Sequence, residues 1–254
     1  MDDRGEPEGA GLLKGNLNRR LHSSLARELG RRILSGELPP GHLFPGEIDF
    51  SQQLDLSRSA LREAFRILSA KGLVESRPKA GTHVTDPARW SRLDPDVLAW
   101  QFASEPSPEF LRDLFELRMI VEPAAAAAAA ARRNEVQVAA MAAALDAMAA
   151  HGLATEEGRA ADQLFHSLVI EAAHNQLLST LSSSIMAAVA WTTIFKQRRR
   201  VLPRDPMPEH CALHAAIAAG DADGARNAMV VLIDLALADT EIAMRAEEGP
   251  PATT

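Results

Sequence analysis

Apolar positions along the chain fall into blocks of differing period. Residues 1–18, rich in Gly, Asp, Glu and Asn, predict a disordered arm. Leu21, Leu25, Leu29 and Ile33 then recur every fourth residue, which lays them on one helix face, and Gly36 offers a stop. The segment ELPPGHLFPG interrupts this pattern as a loop. A short helix is expected from Glu47 to Leu54, turning Ile48, Phe50 and Leu54 inward. In DLSRSALREAF, Ser57 is placed as an N-cap, because its hydroxyl can accept from a free first-turn amide. Leu61, Phe65 and Leu68 form the stripe of the helix that follows, and Gly72 ends it. Two helices joined by a tight turn predict a helix-turn-helix, and LVESRP with GTHVTD, meeting around Pro78–Gly81, predict a β-hairpin or wing.

Residues 87–108 contain four prolines and one short apolar run, DPDVLAWQFA, which reads as a linker with a short helix. From 109 to 246 the pattern is consecutively helical, opening with FLRDLFELRMIV, where Phe110, Leu114, Leu117 and Val121 share a side. Pro123 is expected to kink or restart that helix. Later helices fall near 134–150, 156–173, 176–198, 208–219 and 221–246, before a tail at 247–254. The fold expected is mainly α: a winged helix-turn-helix domain at 19–86 and an all-α helical bundle at 109–246.

Composition adds a compartment and a polarity. Hydrophobic residues make up 46% of the chain and aromatics 4%, with long alanine runs, which suits helices packed through small side chains. Cys211 is the single cysteine, so no intramolecular disulfide can form and a reducing compartment is expected. The first twenty residues lack a continuous apolar core, and the eight alanines at 124–131 are too short to span a bilayer, so a cytoplasmic protein without a membrane partner is expected. The net charge of −7 is unevenly spread: residues 19–86 hold 11 Lys/Arg against 8 Asp/Glu, whereas residues 87–254 hold 14 against 22. Arg58, Arg62 and Arg66 are spaced four apart, a row that is either a solvated helix face or the footprint of a polyanion partner.

The run FPGEIDFSQQLDLSRSALREAFRILSAKGLVESRPKAGTHV resembles the winged helix-turn-helix of the GntR superfamily of bacterial transcription factors. ELRMIVEPAAA, DQLFH and EHCALHAAIAAGDADGARNAM resemble the all-helical FCD ligand-binding domain of its FadR-like branch. Within that branch LDPDVLAW, VEPA and AHN look most like repressors of galactonate-type sugar-acid operons. The resemblance implies a homodimer that binds double-stranded operator DNA and responds to a small organic acid, and it implies no enzyme activity. Arg58 and Arg62 match the family's DNA-contacting arginines. Arginine suits that task because its planar fork can donate two hydrogen bonds to guanine. Ser57 and Ser59 are placed for phosphate, Arg66 for backbone or support, and Lys79, Gly81 and Thr82 for the adjacent minor groove. Ile48 stands where relatives often carry a basic residue, so the operator sequence cannot be borrowed from them.

In the second domain the resemblance makes Asp162, His166 and His210 three of four metal ligands, a donor set suited to Zn²⁺, with Ni²⁺ and Mn²⁺ as alternatives. The fourth position falls on Leu232, which cannot coordinate. Either the three retain a metal, or they hydrogen-bond the effector directly. His214, one turn beyond His210, is a substitute ligand or an ordinary helix-surface histidine. Arg118, among apolar neighbours, is either a carboxylate clamp or one half of an ion pair with Glu122 or Asp162. Trp191 is a candidate to stack on a ligand. KQRRR at 196–200 reads as charge placed at a helix C-terminus. Rival readings are a metal-dependent hydrolase using the Asp–His–His set, for which no further general base stands out, and a purely architectural DNA binder.

Overall fold

The structure is a computed structural model that describes residues 8–78, 80–103, 106–198 and 204–245, with side chains from residue 21 onward. The chain divides into two compact units, Met1–Glu105 and Pro106–Thr254.

The first unit opens with α1 (Glu8–Leu34). This helix starts within the arm expected to be disordered, so that expectation fails for residues 8–18, while 1–7 lie outside the described residues. No proline interrupts residues 8–34, and each residue added to an existing helix gains a hydrogen bond without a new nucleation cost. Next come α2 (Glu47–Gln53) and α3 (Arg58–Ala70). Ser57 caps α3, its side chain accepting from the Ala60 amide at 3.2 Å. Ala60, Leu61, Ala64 and Leu68 form the buried face of α3, with Phe65 only half-buried. Ala64 and Leu68 meet Ala26, Leu29 and Ile33 of α1 in one core. The expected inward face of α2 is found only at Phe50, which packs against the core beside Phe44 and Phe65. Ile48 is 57% and Leu54 36% exposed, because a seven-residue helix buries a single narrow strip, here Ser51 beside half-buried Phe50.

Strands β1 (Val74–Arg77) and β2 (Gly81–Val84) pair antiparallel, with Val74 opposite Val84 and Arg77 opposite Gly81. Residues 87–103 of the stretch read as a linker fold onto this same unit. A 3-10 turn (Pro87–Arg89) and α4 (Pro95–Ala103) bring Trp90, Val97 and Trp100 into the core. Lys71, the C-cap of α3, reaches Asp94 at 2.6 Å and Asp96 at 2.8 Å, while Asp94 caps the first turn of α4.

Among the described residues the second unit has six helices: α5 (Pro108–Arg132), α6 (Glu135–His151), α7 (Glu156–Ala172), α8 (Gln176–Arg198), α9 (Met207–Ala219) and α10 (Ala222–Arg245). Helix α5 continues through Pro123 rather than restarting there. Its buried face is Leu111, Leu114, Phe115, Arg118 and Glu122, rotated from the Phe110–Val121 side that was expected. Ala125, Ala126, Ala129 and Ala130 are fully buried, and their small side chains let neighbouring helices approach closely. Helix α8 has the length and hydropathy to cross a membrane, but its Ile185, Val189 and Phe195 are buried within the bundle.

Candidate nucleic-acid interface and buried cavity

The arginines of α3 emerge on one exposed stripe because Ala60, Leu61, Ala64 and Leu68 occupy the opposite face. Arg62 Nε sits 2.8 Å from the Glu47 carboxylate, and Arg66 makes two bonds to Glu63, at 2.9 and 2.6 Å. Arg58 makes no ion pair among the described residues. The paired side chains are 71% (Arg62) and 73% (Arg66) exposed, and such surface pairs contribute only about 0–1 kcal/mol, so an incoming phosphate or base edge can displace the glutamates. Ser57 and Ser59 share a hydrogen bond of 3.0 Å at the start of α3, which leaves the Ser59 hydroxyl at the exposed end of the helix. On the hairpin, Thr82 and Ser76 join across the strands at 2.7 Å, and Gly81 takes a left-handed φ of 77°. Arg62, Arg66, Ser76 and Thr82 line one groove between helix and hairpin. Lys79 lies outside the described residues.

In the second unit a cavity of about 490 Å³ draws lining side chains from all six helices. Asp162 and His166 project from α7, and His210 from the first turn of α9; all three are buried, and their donor atoms lie within 4.8 Å of one another. His210 Nδ1 is 2.8 Å from the Pro206 carbonyl, which can only accept, so Nδ1 carries the proton. His210 Nε2 faces Asp162 Oδ1 at 3.1 Å, and His166 Nε2 faces the same oxygen at 3.7 Å. A lone pair on Nε2 aimed at a carboxylate oxygen is repulsive unless a second proton or a cation stands between them.

His166 Nδ1 lies 3.0 Å from Glu122 Oε2, close but out of line for a hydrogen bond. Both imidazoles therefore turn Nδ1 toward an outer acceptor and Nε2 toward Asp162, the orientation outer-shell partners give to metal-ligating histidines. The residues fit a divalent cation held by three protein donors. Leu232 lines the same cavity and is buried, and its hydrocarbon side chain offers no fourth protein donor. Burial opposes ionisation of Asp162, but its bond to His210 and the charges of His166, His210 and Arg118 outweigh that and hold its carboxyl below the usual range.

Arg118 is 3% exposed and its Nε bonds Glu122 Oε1 at 2.6 Å, so the ion pair offered as one alternative is formed. The guanidinium also lines the cavity. Burial alone would raise the Glu122 carboxyl; the Arg118 charge, with His166, brings it down to about 2. Glu122 thus links Arg118 to His166, a role its sequence position did not reveal although it stands in the VEPA motif. Lys196 and Arg204 also line the cavity; the first was read only as helix-end charge. Trp191 is not among the lining residues. It is half-buried, with the Arg198 guanidinium 5.9 Å from its ring. His214 turns away as well, its Nε2 lying 3.1 Å from the Val138 carbonyl.

An exposed arginine stripe on a winged helix-turn-helix, with a cavity carrying a buried polar cluster in a separate helical unit, defines a ligand-responsive DNA-binding regulator. Residues 21–84 match the bacterial regulatory proteins of the gntR family, residues 113–235 match the FCD domain, and the chain belongs to this family of transcription factors, which are not enzymes. It is 34% identical over 208 residues to the galactonate operon transcriptional repressor of Escherichia coli (strain K12), covering 81% of this chain and 90% of the relative. It is 29% identical over 203 residues to LutR, an HTH-type transcriptional regulator of Bacillus subtilis (strain 168), covering 78% and 91%. Among solved structures, Lar, which controls expression of the Listeria monocytogenes agr system, shares the fold with a TM-score of 0.61 at 18% identity, over 94% of this chain and 99% of that one. E. coli McbR/YncC does so with a TM-score of 0.51 at 16% identity, over 89% and 97%.

Proposed function

We propose that the protein is a homodimeric cytoplasmic repressor of a sugar-acid catabolic operon, released from its operator when a hexonate or hexuronate occupies the cavity of the second unit. The observation that carries this reading is the separation of two polar sites: an uncovered arginine stripe on α3 and a cavity lined by Asp162, His166, His210 and Arg118. The similarity to a galactonate operon repressor supports the effector class.

In this reading Arg58 and Arg62 donate to guanine edges, each bidentate contact discriminating by about 1–3 kcal/mol. Ser57, Ser59 and Arg66 hold phosphates, while Gly81 and Thr82, with Lys79, approach the minor groove beside the hairpin. Asp162, His166 and His210 would hold the divalent ion, and Leu232 leaves its remaining positions to non-protein oxygens. The ion, when bound, supplies Lewis-acid attraction for the effector's oxygens. Arg118, braced by Glu122, presents fixed donors to the same cavity. Effector binding weakens DNA binding by favouring the conformations of the dimer that present the two heads poorly.

Fluorescence anisotropy on the protein's own upstream DNA, titrated with a panel of hexonates and hexuronates, tests this. At least one acid should lower operator affinity, and Arg62→Ala should abolish operator binding while keeping the acid-induced thermal shift. Unchanged operator affinity across the whole panel would count against the sugar-acid reading.

A further inference from the structure

Three cationic side chains described at the cavity differ in how their charge is met. Arg118 is bonded to Glu122 at 2.6 Å. Arg204 Nη1 is bonded to Glu209 at 2.6 Å, with Asp239 at 3.9 Å from its Nε. Lys196, in the last turn of α8, has no carboxylate at ion-pairing distance and no hydrogen-bond acceptor among the described residues. Its place is nonetheless fixed: the next residue, Gln197, donates its side-chain amide to the Leu153 carbonyl, tying the end of α8 to the loop before α7. Thr192, one turn earlier, is buried, bonded at 2.9 Å to the Ala188 and Val189 carbonyls of its own helix.

Lys196 is half-buried, and an ammonium at a cavity wall that has shed part of its water without gaining a carboxylate or other acceptor is a ready partner for an incoming anion. Burial pushes the Lys196 ammonium below its ordinary pKa, and Asp239 and Asp162, acting through space, do not restore it. Among the described residues at the cavity, Lys196 is therefore the cationic side chain without an ion pair of its own, while Arg118 and Arg204 each bond a carboxylate.

We infer that Lys196 is the counter-ion of the effector's carboxylate and the residue that selects an acid over the uncharged sugar or polyol of the same carbon skeleton. This rests on the reading of the cavity as the effector site, and it differs from a clamp at Arg118. The Arg118 charge is held by Glu122, leaving that guanidinium to orient hydroxyl or carbonyl oxygens. The carboxylate would instead be drawn toward α8.

The test compares wild type, Lys196→Met and Lys196→Arg by thermal shift and isothermal titration. The probes are D-galactonate and D-galacturonate as acids, with galactitol and galactose as neutral counterparts. Lys196→Met should weaken binding of whichever acid binds wild type by about 10- to 100-fold, the scale of a lost hydrogen bond to a charged group. It should leave the weak response to the neutral compounds unchanged and raise the melting temperature of the ligand-free protein. Lys196→Arg, which keeps the charge, should retain acid binding within a few-fold. A Lys196 that merely supports the fold would give the opposite sign, a lower ligand-free melting temperature with the acid-to-neutral preference intact, and that result overturns the inference. Undiminished acid binding by a folded Lys196→Met overturns it too, while leaving the cavity as effector site. If no acid binds wild type, the sugar-acid reading fails and this inference falls with it.

Discussion

Glu122 is the residue on which the order of the cavity depends. Its carboxylate is 1% exposed, bonds Arg118 on its own helix at 2.6 Å, and lies 3.0 Å from His166 on another. Replacing it with glutamine keeps the shape but leaves a buried guanidinium without its charge partner. Removing one partner of a buried pair costs about 3–5 kcal/mol. Urea denaturation of Glu122→Gln should show a loss of that order, together with a smaller stabilisation by added Zn²⁺ under the proposed metal-holding role, because His166 loses the carboxylate facing its Nδ1. Trp191→Ala is the counterpart: because Trp191 lies off the cavity, titration calorimetry should find its effector affinity unchanged. Spacing and resemblance together brought out Asp162, His166, His210 and Arg118, because i, i+4 positions share a face whatever the helix packs against. Whether Glu122, Lys196 or Trp191 turns inward depends on the rotation of long helices within a bundle, and one residue's offset amounts to 100°. Alanine-rich helices such as α5, apolar over much of their circumference, leave that rotation unmarked in sequence.

At the level of elements, the prolines of the expected linker have a different meaning once folded. Pro87, Pro95 and Pro108 stand at the starts of helices, where a missing amide costs nothing, so they open elements, and the division between the two units falls only at residues 105/106. Helix α4 is consequently fastened to the head. Lys71 joins the end of α3 to the cap of α4, and Trp100 packs so close to α1 that a Cβ at Gly30 would lie 2.3 Å from its ring. Gly30→Ala should therefore destabilise the head by about 1–3 kcal/mol, the usual cost of overpacking, measurable by thermal denaturation of the full chain. Lys71 gives a pH signature. Burial works against its ammonium, but Asp94 and Asp96 prevail and raise its pKa above the ordinary 10.5. A raised folded value contributes stability that is complete below 10.5 and is lost as pH climbs through the folded value. Alkaline titration of stability should thus fall more steeply for wild type than for Lys71→Met, which lacks the group. Equal slopes would assign the joint to packing alone. The helix-turn-helix itself was legible because its cap, stripe and stop lie within sixteen residues. The docking of α4 was not, since it depends on contacts with a helix some seventy residues earlier.

For the whole molecule, regulation requires that two sites in different units share one free energy. The head and the second unit each close around their own core, so neither site needs the other in order to form. If an acid in the cavity lowers operator affinity by some factor, linkage demands that operator DNA lower the affinity for that acid by the same factor. Couplings of this kind typically amount to about 1–3 kcal/mol, or about 5- to 150-fold. Titrating the acid into the protein with and without a saturating operator duplex should return the factor found by anisotropy in the reverse experiment. An acid competing directly for the arginine stripe would give strict exclusion instead, and its apparent affinity would keep falling as DNA is added, without a plateau. Arg62→Ala then separates the routes: it removes a group from the stripe but none from the cavity, so an allosteric acid binds this variant as tightly as DNA-free wild type. An acid held by the stripe would bind it less well. The plateau follows from the geometry, because the carboxylate's proposed partner, Lys196, and the guanidinium groups of α3 belong to separately folded units.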